Sequence, residues 1–188
     1  MQQDTLIVIP CFNEAARLRR GDLVASLDAN PSVGLVFVDD GSTDDTLTEL
    51  EALRAERPRA IRVVPLARNS GKAEAVRTGV RTALTASPTF VGYWDADLST
   101  PLEQVRDFHD VLERRPELLL VVGARVRRLG ADIHRDELRH YLGRVFATLA
   151  SLTLGLPVYD TQCGAKAFRV TPMTKELFAR PFMSRWIF

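Results

Sequence analysis

The sequence has few cysteines and histidines, and it has neither a membrane-spanning segment nor a signal peptide pattern. Its two cysteines, Cys11 and Cys163, are too few for a thiolate metal cluster or a disulfide framework, and we interpret both as small packing residues. The three histidines include no pair at metal-ligand spacing. No apolar run approaches the roughly 18 residues that span a bilayer, and the amino terminus lacks the pattern of a signal peptide. These absences predict a cytoplasmic protein.

The chain also lacks an excess of charge of either sign. It carries 25 basic and 24 acidic residues, which give a formal net charge of +1. This balance gives no basic footprint for nucleic acid, so no nucleic-acid partner is expected. The length of 188 residues, of which 46% are hydrophobic, predicts a single domain over residues 1–188 with a substantial core.

The carboxyl end of the chain, RPFMSRWIF, has no polar tail. It fits a buried final strand or a chain that has been cut. We favour the second interpretation and expect the domain to be truncated after Phe188.

What the sequence does contain is a regular alternation of strand-like and helix-like segments. Short β-branched runs alternate with segments of helical period, which predicts right-handed crossovers and an α/β fold with a mostly parallel sheet flanked by helices. The strand-like runs are TLIVI, VGLVFVDD, IRVVPL, FVGYWD, LLLVVGA and AKAFRV, and the helical segments are Glu14–Ala29, Asp44–Arg57, Lys72–Thr85, Leu102–Arg114 and Met173–Ala179.

Polar residues follow each of the first four strand-like runs. Because the carboxyl ends of parallel strands meet at one sheet edge, these residues predict a binding site there. The four groups are Pro10 to Glu14, Asp39 to Ser42, Asn69 to Lys72, and Asp95 to Asp97.

Several familiar sites are excluded at this edge. NSGKAEA lacks the spacing of a P-loop, no strand precedes G-x-G-x-x-G, and no serine or cysteine lies in a nucleophile elbow. The remaining chemistry is that of carboxylates, and Asp95 and Asp97 offer hard oxygen ligands for Mg²⁺ or Mn²⁺, with a diphosphate completing the shell. Thr100, Pro101 and Glu103 predict an N-cap, a first-turn proline and a capping-box partner for the helix that follows. The alternative for the two acids is an Asx turn with helix capping.

Five motifs occur in order along the chain: VIPCFNEAARL, VFVDDGSTDDT, NSGKAEAVRTGV, WDADLSTP and DTQCGAKAFR. Together they resemble the family 2 glycosyltransferases, and within them the dolichyl-phosphate (polyprenyl-phosphate) glucosyltransferase and mannosyltransferase branch. The resemblance covers Leu6 to about Phe188. It implies a GT-A-like (Rossmann-like) fold, a nucleotide-sugar donor and inversion at the sugar carbon.

On the donor side, the resemblance assigns roles to residues of the first four motifs. Lys72, at a helix start, is expected to reach the nucleotide or its phosphates. Asp95 and Asp97 are expected to bind the metal, with Asp97 also counted as catalytic. The residues expected to bind the nucleotide sugar are Pro10, Phe12, Asn13, Glu14, Asp39, Asp40, Lys72, Asp95 and Ala96.

On the acceptor side, the resemblance implies that Asp160 faces the reacting sugar as a base or as an orienting group. Gln162 and Lys166 match the same motif, although Ala165 stands where family members often have an aromatic residue. Arg125 and Arg139 are candidates to hold the acceptor phosphate or the donor diphosphate.

The segment 145–156, VFATLASLTLGL, predicts a core helix, or alternatively a helix on the bilayer surface beside the basic residues before it. A lipid acceptor implies a membrane surface, so we expect the protein at the cytoplasmic face of a membrane.

The function expected from all this is transfer of a sugar from a nucleotide sugar to a polyprenyl phosphate. DTQCG resembles the glucosyl branch, which makes UDP-glucose the first donor candidate and GDP-mannose the second. Two alternatives stay open. One is an enzyme that uses a saccharide hydroxyl as acceptor, and the other is a non-catalytic module that binds a nucleotide sugar.

Overall fold

The computed structural model describes residues 3–124 and 163–185, and its described residues form one six-stranded sheet flanked by helices. The strands are β1 (Thr5–Cys11), β2 (Val33–Asp39), β3 (Ile61–Pro65), β4 (Phe90–Trp94), β5 (Leu120–Val122) and β6 (Ala165–Arg169). The helices are α1 (Arg20–Ala29), α2 (Thr46–Glu56), α3 (Lys72–Leu84), α4 (Val105–Arg114), which follows a 3₁₀ turn over Leu102–Gln104, and α5 (Pro172–Ala179).

The sheet has the strand order β3-β2-β1-β4-β6-β5. β1 pairs in parallel with both β2 and β4, and β2 pairs in parallel with β3. β6 alone runs antiparallel, between β4 and β5. This arrangement confirms the predicted α/β class and the mostly parallel sheet.

Both faces of the sheet are covered at its centre, which explains why β1, β2 and β4 read as nearly continuous apolar runs. All seven residues of β2 are buried. One face packs Ile7, Phe37 and Trp94 against α1, α2 and α4, and the other packs Val8 and Val38 against α3 and α5. Two apolar layers therefore hold the strand ends at fixed positions.

α3 lies unusually close to the sheet because of a glycine in its buried face. A Cβ atom at Gly79 would lie 2.3 Å from Val8 Cγ1 and 2.8 Å from Val38 Cγ2. Contacts of that length do not occur between real side chains, so the backbone distance between α3 and β1 depends on the missing methyl group.

Gly79→Ala is expected to destabilise the protein by about 1–3 kcal/mol, because overpacking outweighs the gain in helix propensity. Urea unfolding measures this as a lower midpoint at unchanged slope. The matched control is Gly21→Ala in α1, where a Cβ would meet nothing within 4 Å. The control should be neutral or stabilising, and a gain in stability in both variants would contradict the close packing of α3.

Several helix boundaries differ from the sequence prediction. α1 begins at Arg20 and not at Glu14. The backbone N–H groups of Glu14 and Ala15 donate to Thr46 Oγ1 at 2.8 Å and 3.0 Å. The chain there forms a loop that is hydrogen-bonded to Thr46 at the start of α2. α2 is shorter than predicted by two residues at its start and one at its end, and α3 by one residue at its end.

The predicted capping box after β4 was wrong. Pro101 takes the N-cap position of the 3₁₀ turn, with no side-chain hydrogen bond. Thr100 Oγ1 lies instead 4.0 Å from Cys163 Sγ. α5, in contrast, has a threonine N-cap: Thr174 N donates to Thr171 Oγ1 at 3.2 Å.

The chain leaves the sheet after β5 and re-enters it beside the point of exit. Gly123 N donates to Ala165 O at 2.9 Å, and a Cβ at Gly123 would lie 2.9 Å from Cys163 Sγ. Arg125, Arg139, Asp160, Gln162 and the predicted helix 145–156 lie outside the described residues. In the part of the chain that the structure describes, no helix is long and apolar enough to cross a bilayer.

Candidate functional site

A cavity of about 330 Å³ opens at the carboxyl edge of the parallel strands. Eight of the residues predicted for donor or metal binding line it, and four further residues complete the wall. The lining consists of Pro10, Cys11, Phe12, Glu14, Arg17, Asp40, Asn69, Lys72, Ala75, Asp95, Ala96 and Asp97. The polar ends of four strands therefore meet at one cavity, as the sequence predicted.

Asn13 joins the loop after β1 to the loop after β2. It has a left-handed backbone with φ of 54°, a conformation that asparagine tolerates better than most residues. Its backbone N–H donates to Ser42 Oγ at 3.0 Å, and its side-chain Oδ1 accepts from Thr43 N at 2.9 Å. Asn13 thus fixes the shape of the loop from which Phe12 and Glu14 face the cavity.

Glu14 brings a buried carboxylate oxygen to the cavity wall. Its Oε1 accepts from Arg17 Nη2 at 2.7 Å, whereas its Oε2 is buried and has no hydrogen-bond partner among the described residues. Burial raises the pKa of the Glu14 carboxyl, Arg17 opposes this, and the charges of Asp97 and Asp44 add to it. An unpaired buried acceptor is costly, so this oxygen is suited to receive a donor from a ligand.

Asp39 and Asp40 are both buried, and each is engaged with backbone N–H groups. The two oxygens of Asp40 accept from Ser70 N at 2.7 Å and Gly71 N at 2.9 Å. Asp39 Oδ1 accepts from Ser42 N at 3.3 Å. Asp40 therefore ties the loop after β2 to the loop after β3, and of the two acids it is Asp40 that lines the cavity.

Asp95 and Asp97 lie on the cavity wall where β4 ends. Asp95 Oδ1 forms an ion pair with Lys72 Nζ at 2.5 Å. Asp97 Oδ1 accepts from Ser99 N at 2.9 Å, which is the Asx turn that the sequence offered as an alternative. The turn leaves Asp97 on the cavity wall, so the two interpretations are compatible.

The donor set at this edge fits a hard divalent cation that is bound together with a substrate. Within residues 3–124 and 163–185, no group of three or more histidine, cysteine or carboxylate side chains could hold a metal ion alone. Mg²⁺ commonly takes one or two protein carboxylates and completes its shell with water and phosphate oxygens. Asp95 and Asp97 match that requirement.

Gly164 is a site residue that the sequence reasoning missed. Its carbonyl accepts from Asp95 N at 2.9 Å, and a Cβ at this position would lie 1.8 Å from Asp95 Oδ2. Only glycine leaves room for the Asp95 carboxylate in this orientation. The signal in the sequence was the glycine of DTQCGAK, but its contact with WDAD spans 69 residues and depends on the pairing of β4 with β6.

Lys166 projects from β6 beside Tyr93 of β4. Its Nζ donates to Tyr93 Oη at 2.6 Å across the β4–β6 pair. Burial raises the pKa of Tyr93, and the negative charge of Asp95 acts in the same direction. Lys72 therefore pairs with Asp95, whereas Lys166 pairs with the neighbouring Tyr93.

The comparison with known proteins gives the family. The model of the Glycosyl transferase family 2 domain matches residues 6–176, and the chain belongs to this family. A dolichyl-phosphate beta-glucosyltransferase of Trichomonas vaginalis is 28% identical over 98% of this chain and 57% of its own length. A dodecaprenyl-phosphate galacturonate synthase of Rhizobium johnstonii is 31% identical over 88% of this chain and 47% of its own length. The chain spans about half the length of these curated relatives.

Solved structures give the same fold. A mannosyltransferase from Pyrobaculum calidifontis, in complex with GDP-Man and Mn²⁺, matches 95% of this chain and 47% of its own with a TM-score of 0.62 and 21% identity. Glucosyl-3-phosphoglycerate synthase from Mycobacterium tuberculosis, in complex with Mn²⁺, UDP-glucose and phosphoglyceric acid, matches 89% of this chain and 57% of its own. The TM-score is 0.61 and the identity is 24%. The sheet therefore has the GT-A fold, as the resemblance implied.

Proposed function

We propose that this protein is a metal-dependent, inverting glycosyltransferase that moves a sugar from a nucleotide sugar to a polyprenyl phosphate, with UDP-glucose as donor. The observation that carries the proposal is the cavity at the strand ends, where Asp95 and Asp97 lie with Lys72 and the buried Glu14 oxygen. Family membership and the names of the relatives supply the class of acceptor.

Asp95 and Asp97 would hold Mg²⁺ or Mn²⁺ through their carboxylate oxygens. When bound, such an ion offsets the negative charge that develops on the leaving diphosphate. Lys72 adds a second cation on the same side of the cavity, and its Nζ already lies against Asp95. The leaving group would therefore depart into a cluster of positive charge, which lowers the barrier to its release.

Glu14 supports a uridine nucleotide over a guanosine nucleotide. Arg17 holds Oε1, so Oε2 is the oxygen left to accept a proton donor from a base. The edge of uracil offers one N–H group, whereas the corresponding edge of guanine offers donors on two nitrogens that pair best with two free oxygens. One free buried oxygen matches one donor.

The acceptor chemistry needs little help from a base. A phosphate monoester has a second pKa of about 6, so the acceptor oxygen is largely ionised at neutral pH. Asp160 would then orient the sugar, Arg125 and Arg139 would hold the acceptor phosphate or the donor diphosphate, and Gln162 and Lys166 would border the acceptor. The lipid acceptor would place the protein at the cytoplasmic face of a membrane.

Thermal unfolding with nucleotide ligands tests the donor site. UDP-glucose and UDP with Mn²⁺ at about 100 times the dissociation constant should stabilise the protein by about 2.7 kcal/mol. For a domain of this size the midpoint should rise by roughly 5–10 °C. EDTA should abolish the rise, and so should Asp97→Asn, which keeps an oxygen for the Ser99 turn but removes the charge.

The same experiment separates the donors and the rival functions. A rise with GDP-mannose and GDP alone would replace glucose by mannose, and no rise with any nucleotide would reject the donor site. With the donor identified, release of UDP on addition of a polyprenyl phosphate supports the transferase. Release with a saccharide only points to a hydroxyl acceptor, and binding without release points to a non-catalytic module.

A further inference from the structure

The residues after α5 turn back onto the start of α3, far from them in sequence. Ala73 N donates to Arg185 O at 2.9 Å. The Arg185 guanidinium donates from Nη2 to Asn69 O at 3.2 Å and to Asn69 Oδ1 at 2.9 Å, and from Nε to Ser70 O at 3.4 Å. Arg185 therefore contacts the turn before α3 with both its backbone and its side chain.

The turn over residues 69–71 is held from the opposite side by Asp40. The two oxygens of Asp40 accept from Ser70 N and Gly71 N. Gly71 has a φ of +94°, and a Cβ there would lie 2.9 Å from both Cβ and O of Arg185. The turn is thus clamped between a buried carboxylate and a guanidinium, and glycine permits the close approach of Arg185.

The clamped turn leads directly into Lys72, whose Nζ pairs with Asp95. Since the backbone of residues 69–71 sets where Lys72 begins, any shift of this turn moves the lysine relative to the acid. Arg185 O also satisfies the amide of Ala73 at the amino terminus of α3. Lys72 is the charged residue of this helix start that lines the cavity.

We propose that Arg185 is a positioning residue of the donor site. It holds the turn before α3 so that the Lys72 ammonium stays beside Asp95, where the diphosphate of the donor would bind. The inference rests on the proposed function for the identity of the ligand. It adds that the segment after α5, which the motif analysis did not assign to the site, determines the geometry of the diphosphate end of the cavity.

Binding of UDP with Mn²⁺ to Arg185→Ala, Arg185→Lys and the control Arg180→Ala, measured by calorimetry, tests the inference. Arg180 is exposed at the start of the same segment. Arg185→Ala is expected to weaken UDP about tenfold, whereas Arg180→Ala should change it less than twofold. Arg185→Lys should recover the affinity only in part, because an ammonium lacks the fork that reaches two neighbouring carbonyls.

A double-mutant cycle with Lys72→Met distinguishes positioning from general loss of stability. If Arg185 acts through Lys72, Arg185→Ala should have little further effect on UDP affinity in the Lys72→Met background. Additive losses, or an Arg185→Ala variant that melts earlier but binds UDP normally, would overturn the proposal.

Hydrogen exchange of the amides of residues 69–73 needs no ligand and separates this proposal from the proposed function. Exchange there should rise in Arg185→Ala and stay unchanged in Arg180→Ala. If the unaltered protein binds no nucleotide but exchange rises as expected, the donor assignment fails while the clamp is confirmed. Unchanged exchange in Arg185→Ala would refute the clamp itself.

Discussion

Gly164→Ala is expected to reduce sugar transfer by about 100-fold or more, with little effect on folding. The added methyl group would occupy the position of the Asp95 carboxylate, since a Cβ at residue 164 lies 1.8 Å from Asp95 Oδ2. Asp95 must then rotate or shift by more than an ångström, and a displacement of this size in a site that positions reacting groups costs about 10²-fold. Initial rates with saturating donor and acceptor measure the loss.

The cause can be distinguished from a general defect by metal binding. Mn²⁺ affinity, measured by electron paramagnetic resonance, should fall in Gly164→Ala because Asp95, one of the two proposed carboxylate ligands, has moved. Gly21→Ala adds the same methyl group in open space and should retain both activity and metal affinity. Normal Mn²⁺ binding and rates within twofold of the unaltered protein in Gly164→Ala would show that Asp95 is not held in the active geometry by this glycine.

Lys72→Met is expected to change metal and nucleotide affinity in opposite directions. Without nucleotide, Mn²⁺ should bind about 1.5- to 5-fold more tightly, because Lys72 no longer pairs with Asp95 and a part-exposed ion pair contributes about 0.2–1 kcal/mol. UDP in saturating Mn²⁺ should bind about 10- to 150-fold more weakly, because a hydrogen bond to a charged group contributes about 1.5–3 kcal/mol. Calorimetry measures both affinities.

Lys72→Arg provides the matched control for this experiment, since it keeps the positive charge and changes its shape. In the absence of nucleotide, Lys72→Arg should bind Mn²⁺ more weakly than Lys72→Met does, as the unaltered protein should. It should also keep most of the UDP affinity of the unaltered protein. A Lys72→Met variant in which the affinities for Mn²⁺ and for UDP both fall would indicate that the lysine only stabilises the loop and does not compete for Asp95.

The sequence was informative about the fold wherever structure follows from local pattern. β1 to β4 were predicted from short β-branched and apolar runs, and the burial of β1, β2 and β4 explains why such runs occur there. The same reasoning predicted the sheet edge at which Asp40, Lys72 and Asp95 meet, since parallel strands deliver their ends to one side.

The features that were missed depend on contacts between distant residues. α1 starts late, and the chain before it forms a loop that is hydrogen-bonded to Thr46, 32 residues from Glu14. The antiparallel direction of β6 and the contact of Gly164 with Asp95 follow from a pairing with β4 that local periodicity does not encode. The bonds of Arg185 to Asn69 span 116 residues. Sequence pattern identifies residue types and elements, whereas these contacts arise from the packed topology.

The adjacent exit and re-entry of the chain beside β5 and β6 have an evolutionary consequence. Gly123 is bonded to Ala165, so both ends of the intervening stretch are fixed side by side on the same scaffold. Insertions, deletions or recombination between those two points need not alter the register of any strand or the residues that line the cavity. Relatives can therefore differ in length between these two points while they keep the same framework of strands.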